Sequence, residues 1–202
     1  MKIMSDVLII GGGVSGISCG LIIGSAIEKE LYALNKTVTI IDSGHSDAKK
    51  AIFNNMIGFP IGVTGEEVLE NAMKQIQKYD SITFLNDRVI EIKEVLNHFE
   101  IECNSGKVYK SKIVVIATGF KGYYIEGLDI KAFQHSKTMK SGRVQIDNDN
   151  LKLKDNVWVC GNLSGMSNQF AIAAGSGAQV GVNIISEWAG EWKVIHDKVG
   201  DK

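Results

Sequence analysis

The apolar positions of the chain fall into runs of two kinds. Short unbroken ones, DVLII (6–10), KIVVIATG (112–119) and NVWVCGN (156–162), each run into a glycine: Gly11, Gly119 and Gly161. Unbroken runs of this length suit strands buried on both faces. KTVTIID (36–42) is a further β-rich run that closes on an acid, Asp42. Between the first and the last of these the residues from Val14 to about Leu34 read as a helix, which makes one strand-helix-strand unit. TGEEVLENAMKQIQKY (64–79) repeats its apolar residues Val68, Leu69, Ala72, Met73 and Ile76 at helical spacing, with Thr64 and Glu67 at the separation of a capping box. SITFLNDRVIEIKEV, HFEIEC and KVYKSKIVVI alternate like strands, and NSG (104–106) between the last two reads as a hairpin turn. QFAIAAGSGAQVGVNIISEWAG (169–190) is a long helix of small residues, and the charged tail EWKVIHDKVGDK is expected to fray. Residues 43–63 read as irregular, and GRVQIDNDN as a strand and turn. The pattern predicts an α/β fold: a Rossmann-like parallel sheet with a small antiparallel β-meander, in one domain over 1–202.

Three strand ends stopping at glycine imply one crevice, because ligands of open α/β sheets bind at the carboxyl ends of strands. Gly11, Gly13 and Gly16 satisfy GxGxxG, and Gly20 extends the series. Gly11 permits the tight turn, Gly13 lets backbone N–H groups approach a pyrophosphate, and Gly16 and Gly20 allow close packing of the helix. The start of the helix at Val14 and Ser15 then offers free N–H donors to phosphate. Asp42, followed by Ser43, stands where an acid takes ribose hydroxyls. Gly16 and Asp42 lie 26 positions apart, beyond the usual ~20, so the first helix or its exit is expected to be long.

Composition narrows the classes. The 202 residues are 45% hydrophobic and carry a net charge of −1, which gives no global pull toward nucleic acid or an anionic membrane. No run reaches the ~18 uncharged apolar residues of a membrane span, and no signal peptide is visible. Cys19, Cys103 and Cys160 form no CxxC and no metal-ligand spacing, so a reducing, cytoplasmic setting is expected. His45, His98, His135 and His196 have no clustered partners and read as surface residues. Glu66 and Glu67 suit a helix start, and Trp158, Trp188 and Trp192 suit packing.

At this point the chain resembles the FAD-binding domain of thioredoxin reductases and their pyridine-nucleotide-disulfide relatives. FNNMIGF resembles the segment that touches the flavin nucleotide, with Asn55 and Gly58 matching its asparagine and glycine. KIVVIATG resembles the strand ending the first FAD segment, with Ala117, Thr118 and Gly119 at its tip. NVWVCGN resembles the return strand, with Gly161 and Asn162 in place of a Gly-Asp pair. NQFAIAAGSGAQVGV resembles the closing helix, whose start at Gln169 and Phe170 faces the flavin pyrimidine ring. The resemblance covers 4–120 and about 141–190 and takes in four motifs in order. It implies FAD as cofactor, held by Gly11, Gly13, Val14, Ser15, Gly16, Asp42, Ser43, Asn55, Val89, Ala117, Thr118, Gly119, Gly161, Asn162, Gln169 and Phe170.

Two features depart from that family. It inserts a whole NAD(P)-binding domain before the return strand, and here only the linker 121–140 fills the gap, too short for a domain of at least ~50 residues. The redox CxxC of the inserted domain is missing with it. The expected function is therefore a minimal FAD-dependent oxidoreductase, taking electrons from free NAD(P)H or from a partner protein. The alternatives are a partner-dependent flavin-binding module, most simply a homodimer, and a single-Rossmann NAD(P)-binding oxidoreductase. No residue is assigned as acid, base or nucleophile. Cys160 beside Gly161 and the Tyr123–Tyr124 pair could approach the cofactor, the tyrosines otherwise covering the shortened edge. Asn162 accepts through its amide oxygen where the family has a carboxylate, at an expected cost of about 1 kcal/mol.

Overall fold

The computed structural model describes residues 4–196 and 199–200. β1 (Met4–Ile10) turns at the glycines into α1 (Val14–Lys29), which returns to β2 (Val38–Asp42). The helix ends at Lys29, five residues before the expected Leu34. Glu30 is extended, Leu31–Ala33 form a single 3-10 turn, and Asn35 takes a positive φ of 63°. The extra length between Gly16 and Asp42 is thus spent in the helix exit. Residues 43–63 are less irregular than the sequence suggests: a 3-10 turn at Asp47–Lys50 precedes a ribbon of β3 (Ile52–Phe53) and β4 (Val63–Thr64).

α2 (Gly65–Ile76) begins at the expected capping box. Glu67 N–H donates to Thr64 Oγ1 at 3.2 Å, and Thr64 N–H donates to Glu67 Oε2 at 2.8 Å. Thr64→Ala is expected to lower stability by about 1 kcal/mol, a fall in Tm of roughly 2–4 °C by calorimetry. An unchanged Tm would mean that packing alone holds the start of this helix.

β5 (Ile82–Asn86) follows and lies parallel to β2. β6 (Val89–Val95), β7 (His98–Cys103) and β8 (Val108–Ile116) form the antiparallel meander, and the NSG turn closes with Cys103 N–H to Lys107 C=O at 2.9 Å. β8 belongs to both layers: its first half pairs with β7, while along its other edge it pairs in parallel with β1. β9 (Ala132–Gln134) pairs antiparallel with β10 (Val144–Ile146), and β11 (Lys152–Lys154) leads by a tight turn into β12 (Val157–Val159). α3 (Phe170–Ala189) closes the fold at Gly190. The main sheet runs β11-β12-β8-β1-β2-β5, parallel except for β11. Of the tail expected to fray, 191–196 form no helix or strand, and 197–198 and 201–202 lie outside the described residues.

Strand alternation divides the apolar side chains between two cores. Val7 and Ile9 of β1, Ile113 and Val115 of β8 and Trp158 of β12 face α1, α2 and α3. Leu8, Ile10, Val114, Ile116, Val157 and Val159 face the other way, onto Ile92, Phe99 and Ile101 of the meander. The linker joins this second core. Tyr123, Ile125, Leu128 and Ile130 pack on it, and Glu126 exchanges backbone hydrogen bonds with Ile90 and Ile92 of β6. Tyr123, whose hydroxyl burial pushes up to about 12, thus covers the sheet face. Tyr124 is exposed beside Arg88. Among the described residues no helix is long and apolar enough to cross a membrane, and no three His, Cys, Asp or Glu side chains cluster to hold a metal.

α1 and α3 meet through a seam of small residues. A Cβ on Gly177 would come within 2.7 Å of the Ser15 carbonyl carbon, and one on Gly181 within 2.8 Å of Ile22 Cβ. Ser15 therefore lies level with Gly177, and Cys19, whose carbonyl oxygen the Gly181 Cβ would approach to 3.1 Å, with Gly181, four residues on in each helix, so the two helices run in the same direction. Gly177 is the eighth residue of α3 and Ser15 the second of α1. The start of α3 consequently projects about 9 Å beyond the start of α1, at 1.5 Å per residue.

Candidate functional site

The carboxyl ends of five parallel strands are bound edge to edge by backbone hydrogen bonds that continue the sheet past its strands. Asp87 N–H donates to Asp42 C=O, Gly11 N–H to Ile41, Ala117 N–H to Ile10 and Cys160 N–H to Ile116, all at 2.8–3.0 Å. The glycine turn, Asp42, the Ala117–Gly119 tip and the Gly161–Asn162 turn therefore stand in one row. Val89 follows Asp87 and Arg88 at the Asp42 end of this row, with its side chain buried in the second core.

At the first tip Gly11 takes φ 107°, a conformation that disfavours any other residue. A Cβ there would come within 2.8 Å of the Ala117 carbonyl carbon, and one on Gly16 within 3.1 Å of the Gly11 carbonyl carbon, on top of its oxygen. Gly13 differs. Its φ is −82°, and the atom nearest an added Cβ is Ser46 Oγ at 3.4 Å, so the chain itself does not demand glycine there. The ladder of α1 starts with Ile17 N–H on Gly13 C=O, which leaves the N–H groups of Val14, Ser15 and Gly16 as the free donors of the first turn. The Ser15 hydroxyl is turned inward to Cys160 and Gly161, so this residue offers the crevice only its backbone. Asp42 binds Gly12 N–H through Oδ1 at 2.8 Å and Gly44 N–H through Oδ2 at 2.9 Å. A carboxylate has about four acceptor positions, so it holds the turn in place and retains capacity for hydroxyl donors. Ser43 beside it is exposed.

The far end of the row is built from Gly161, Asn162 and α3. Gly161 takes φ 73°, and its N–H donates to Ser176 Oγ at 2.8 Å, a buried bond from the turn to the helix. Asn162 donates through Nδ2 to Asn168 at 2.9 Å, while its Oδ1 is buried with no donor. A buried acceptor without a partner is costly, and this one lies in the row of strand tips. No side chain caps α3 at Gln169; the ladder begins with Ala173 N–H on Gln169 C=O, so Phe170, Ala171 and Ile172 keep free N–H groups. Phe170 is bracketed edge-on by Phe53 at 5.4 Å and Phe59 at 5.8 Å. Asn55 is exposed and lies between the two rings in sequence. Thr118 is exposed and Gly119 takes φ 72° where the chain leaves the sheet.

His135 corrects the sequence reading. It is 2% exposed rather than on the surface, because the ribbon of β9 and β10 folds back and inserts it against Phe120 and the Asn162 peptide. Sequence reasoning also missed Ser176 and the aromatic bracket around Phe170. The requirement that a buried turn N–H such as that of Gly161 find an acceptor is the one signal that points to Ser176. The cysteines are inert: burial pushes Cys160 and Cys103 up to about 12, and burial followed by the proximity of Cys160 raises Cys19.

No family model matches the chain. It is 31% identical over 140 residues to a ferredoxin–NADP reductase of Staphylococcus saprophyticus, covering 66% of this chain and 38% of the relative. It is 24% identical over 199 residues to ferredoxin–NADP reductase 2 of Exiguobacterium sibiricum, covering 96% of this chain and 49% of the relative. The chain thus spans a half or less of the length of these curated relatives. Among solved structures, a thioredoxin reductase from Gloeobacter violaceus superposes with a TM-score of 0.73 at 13% identity, covering 98% of this chain and 100% of that one. An oxidoreductase from Agrobacterium tumefaciens gives 0.71 at 14% identity, covering 94% and 100%. In fold the chain is thioredoxin reductase-like, with the Rossmann architecture of that group's FAD domain, and in sequence it resembles the ferredoxin–NADP reductases over much of its length.

Proposed function

We propose that this chain binds FAD along the row of strand tips and serves as a flavin-dependent oxidoreductase, taking electrons from free NAD(P)H or from a partner protein. The observation that carries the reading is the stagger of two parallel helix starts. α1 ends its dipole at the glycine turn, α3 about 9 Å further on. A compact ligand meets one of them; an elongated one with two electron-rich points meets both. In this reading Gly11, Gly13 and the N–H groups of Val14, Ser15 and Gly16 hold the pyrophosphate, and Asp42, Ser43 and the Val89 backbone hold the adenosine. Ala117, Thr118, Gly119 and Asn55 flank the middle, and Asn162 Oδ1 beside Gly161 takes a ribityl hydroxyl as its missing donor. Of the expected pair at the start of α3, Phe170 offers the ring its free N–H, whereas Gln169 N–H is taken by Ser167 C=O at 2.8 Å. Bound flavin supplies the redox chemistry, and the helix start favours negative charge on its pyrimidine edge. The three buried thiols support a reducing, cytoplasmic setting.

Gly13→Ala separates ligand from fold. Its Cβ has room in the protein alone, so the Tm of the FAD-free protein is expected to stay within about 2 °C of wild type. The methyl would stand between the backbone donors and the pyrophosphate, so the FAD Kd is expected to rise by a factor of roughly ten or more. Fluorescence titration with FAD, and in parallel with NADP, checks both halves. A wild-type protein that takes NADP and refuses FAD is the single-Rossmann oxidoreductase instead, and one that binds FAD but is reduced by no NAD(P)H or carrier protein is a flavin module.

The module reading, as a homodimer, draws on one observation. Ile52, Ile57 and Ile61 are 68%, 96% and 85% exposed on the loop that brackets Phe170, an apolar surface of the sort that association covers. Light scattering on the purified chain checks it, and a strict monomer removes it.

A further inference from the structure

His135 is a buried polar side chain whose work lies outside any residue assigned to FAD above. Its Nδ1 accepts Lys137 N–H at 3.1 Å, which places the ring proton on Nε2, and Nε2–H donates to the Asn162 backbone carbonyl at 3.0 Å. Phe120 meets the ring edge-on at 5.4 Å, and His135 N–H donates to Arg143 C=O at 2.8 Å. Both ring nitrogens and the backbone are therefore satisfied, and the residue is fixed. What it fixes is the peptide that carries the orphaned Asn162 Oδ1. Ser176 holds the same turn from α3, at Gly161 N–H. The turn is thus pinned from two sides, by the closing helix and by the β9–β10 ribbon of the linker region.

We propose that His135 is a positioning residue for the cofactor: by holding the Asn162 carbonyl it sets the direction in which the Asn162 amide oxygen is presented. The inference rests on the FAD reading. The Asn162 carbonyl also accepts Gly165 N–H at 3.1 Å within its own 3-10 turn, so His135 supplies the second of two hydrogen bonds, and without it the peptide can tilt about the one that remains. Presentation before binding is what lowers the ordering cost of the ligand.

The test measures the FAD Kd of the full chain by flavin fluorescence for wild type, His135→Phe and His135→Gln. Phe keeps the ring volume and the contact with Phe120 but donates nothing, so Kd is expected to rise about tenfold with little change in the Tm of the FAD-free protein. Gln restores a donor and is expected to stay within roughly threefold of wild type. Wild-type affinity in His135→Phe overturns this inference and leaves the FAD reading standing. Equal loss of affinity and Tm in both variants also overturns it, since it marks a residue that only supports the fold. A wild-type protein that refuses FAD overturns both readings together.

Discussion

Gly16→Ala is expected to cost the protein both its FAD and much of its stability. Gly16 sits in the first turn of α1 directly above the Gly11 carbonyl, and the Cβ that alanine brings would land on that oxygen and within 3.3 Å of Ala117 Cβ. Neither neighbour can rotate away. The peptide that carries the Gly11 carbonyl is tied by Gly12 N–H to Asp42, and Ala117 by its N–H to Ile10. Relief requires α1 to lift from the tips of β1 and β8, at a cost typical of overpacking, about 1–3 kcal/mol, or roughly 2–12 °C in Tm for a domain of this size. The same lift moves the Val14, Ser15 and Gly16 N–H groups out of register with a bound pyrophosphate. We therefore expect no FAD to be retained through purification and a Kd raised by about a hundredfold or more. The contrast with Gly13→Ala is diagnostic, since that variant loses ligand without losing stability. A Gly16→Ala protein that melts like wild type and stays yellow would show that this close approach does not hold the turn.

The two glycines also show what the sequence reveals and what it hides. GxGxxG identifies both positions, yet only three-dimensional contact tells that the chain itself demands glycine at 16 and leaves room for a Cβ at 13. β1, α1, β2, α2, the meander and the closing helix were legible because each is long enough to display its period. The ribbons at β3, β4, β9 and β11 were not, because two or three residues carry no period, and their pairing is set by partners elsewhere in the chain. His135 was misread for the same reason. Nothing in AFQHS marks its fourth residue as buried; its acceptor is the Asn162 carbonyl, 27 positions on. Asp42 was legible as an acid at a strand tip, but not its second occupation, holding Gly12 and Gly44. Ser15 was read for its place at the helix start, and nothing in the sequence shows that its hydroxyl faces Cys160 and Gly161.

Gly177→Ala is expected to give the largest loss of stability in the α1–α3 seam, with a consequence for the site at a distance. Glycine at 177 allows α3 to lie against the backbone of Ser15. A Cβ there would come within 2.9 Å of Ser15 Cα and 2.7 Å of its carbonyl carbon, with the oxygen nearer still. All three are backbone atoms at the start of α1, where the helix is already held to Gly11. The methyl must therefore push α3 outward, which opens the packing of Val180, Ile184 and Ile185 on the sheet. Lost contacts add to the overpacking cost, and the total is expected at about 3 kcal/mol, or some 6–12 °C in Tm. Because Ser176 is the adjacent residue, its bond to Gly161 N–H stretches with the same displacement, and the Gly161–Asn162 turn loses its anchor on α3. FAD affinity should then fall even though no substituted atom touches the crevice. Gly175→Ala, two positions earlier, provides the control: an added Cβ there meets nothing within 4 Å, and a helix interior gains from alanine by up to about 1 kcal/mol. Melting curves for the two variants should move in opposite directions. If Gly177→Ala melts with Gly175→Ala instead, α1 and α3 are not locked by backbone contact, and the 9 Å stagger of their starts is not a fixed feature on which a ligand could be measured.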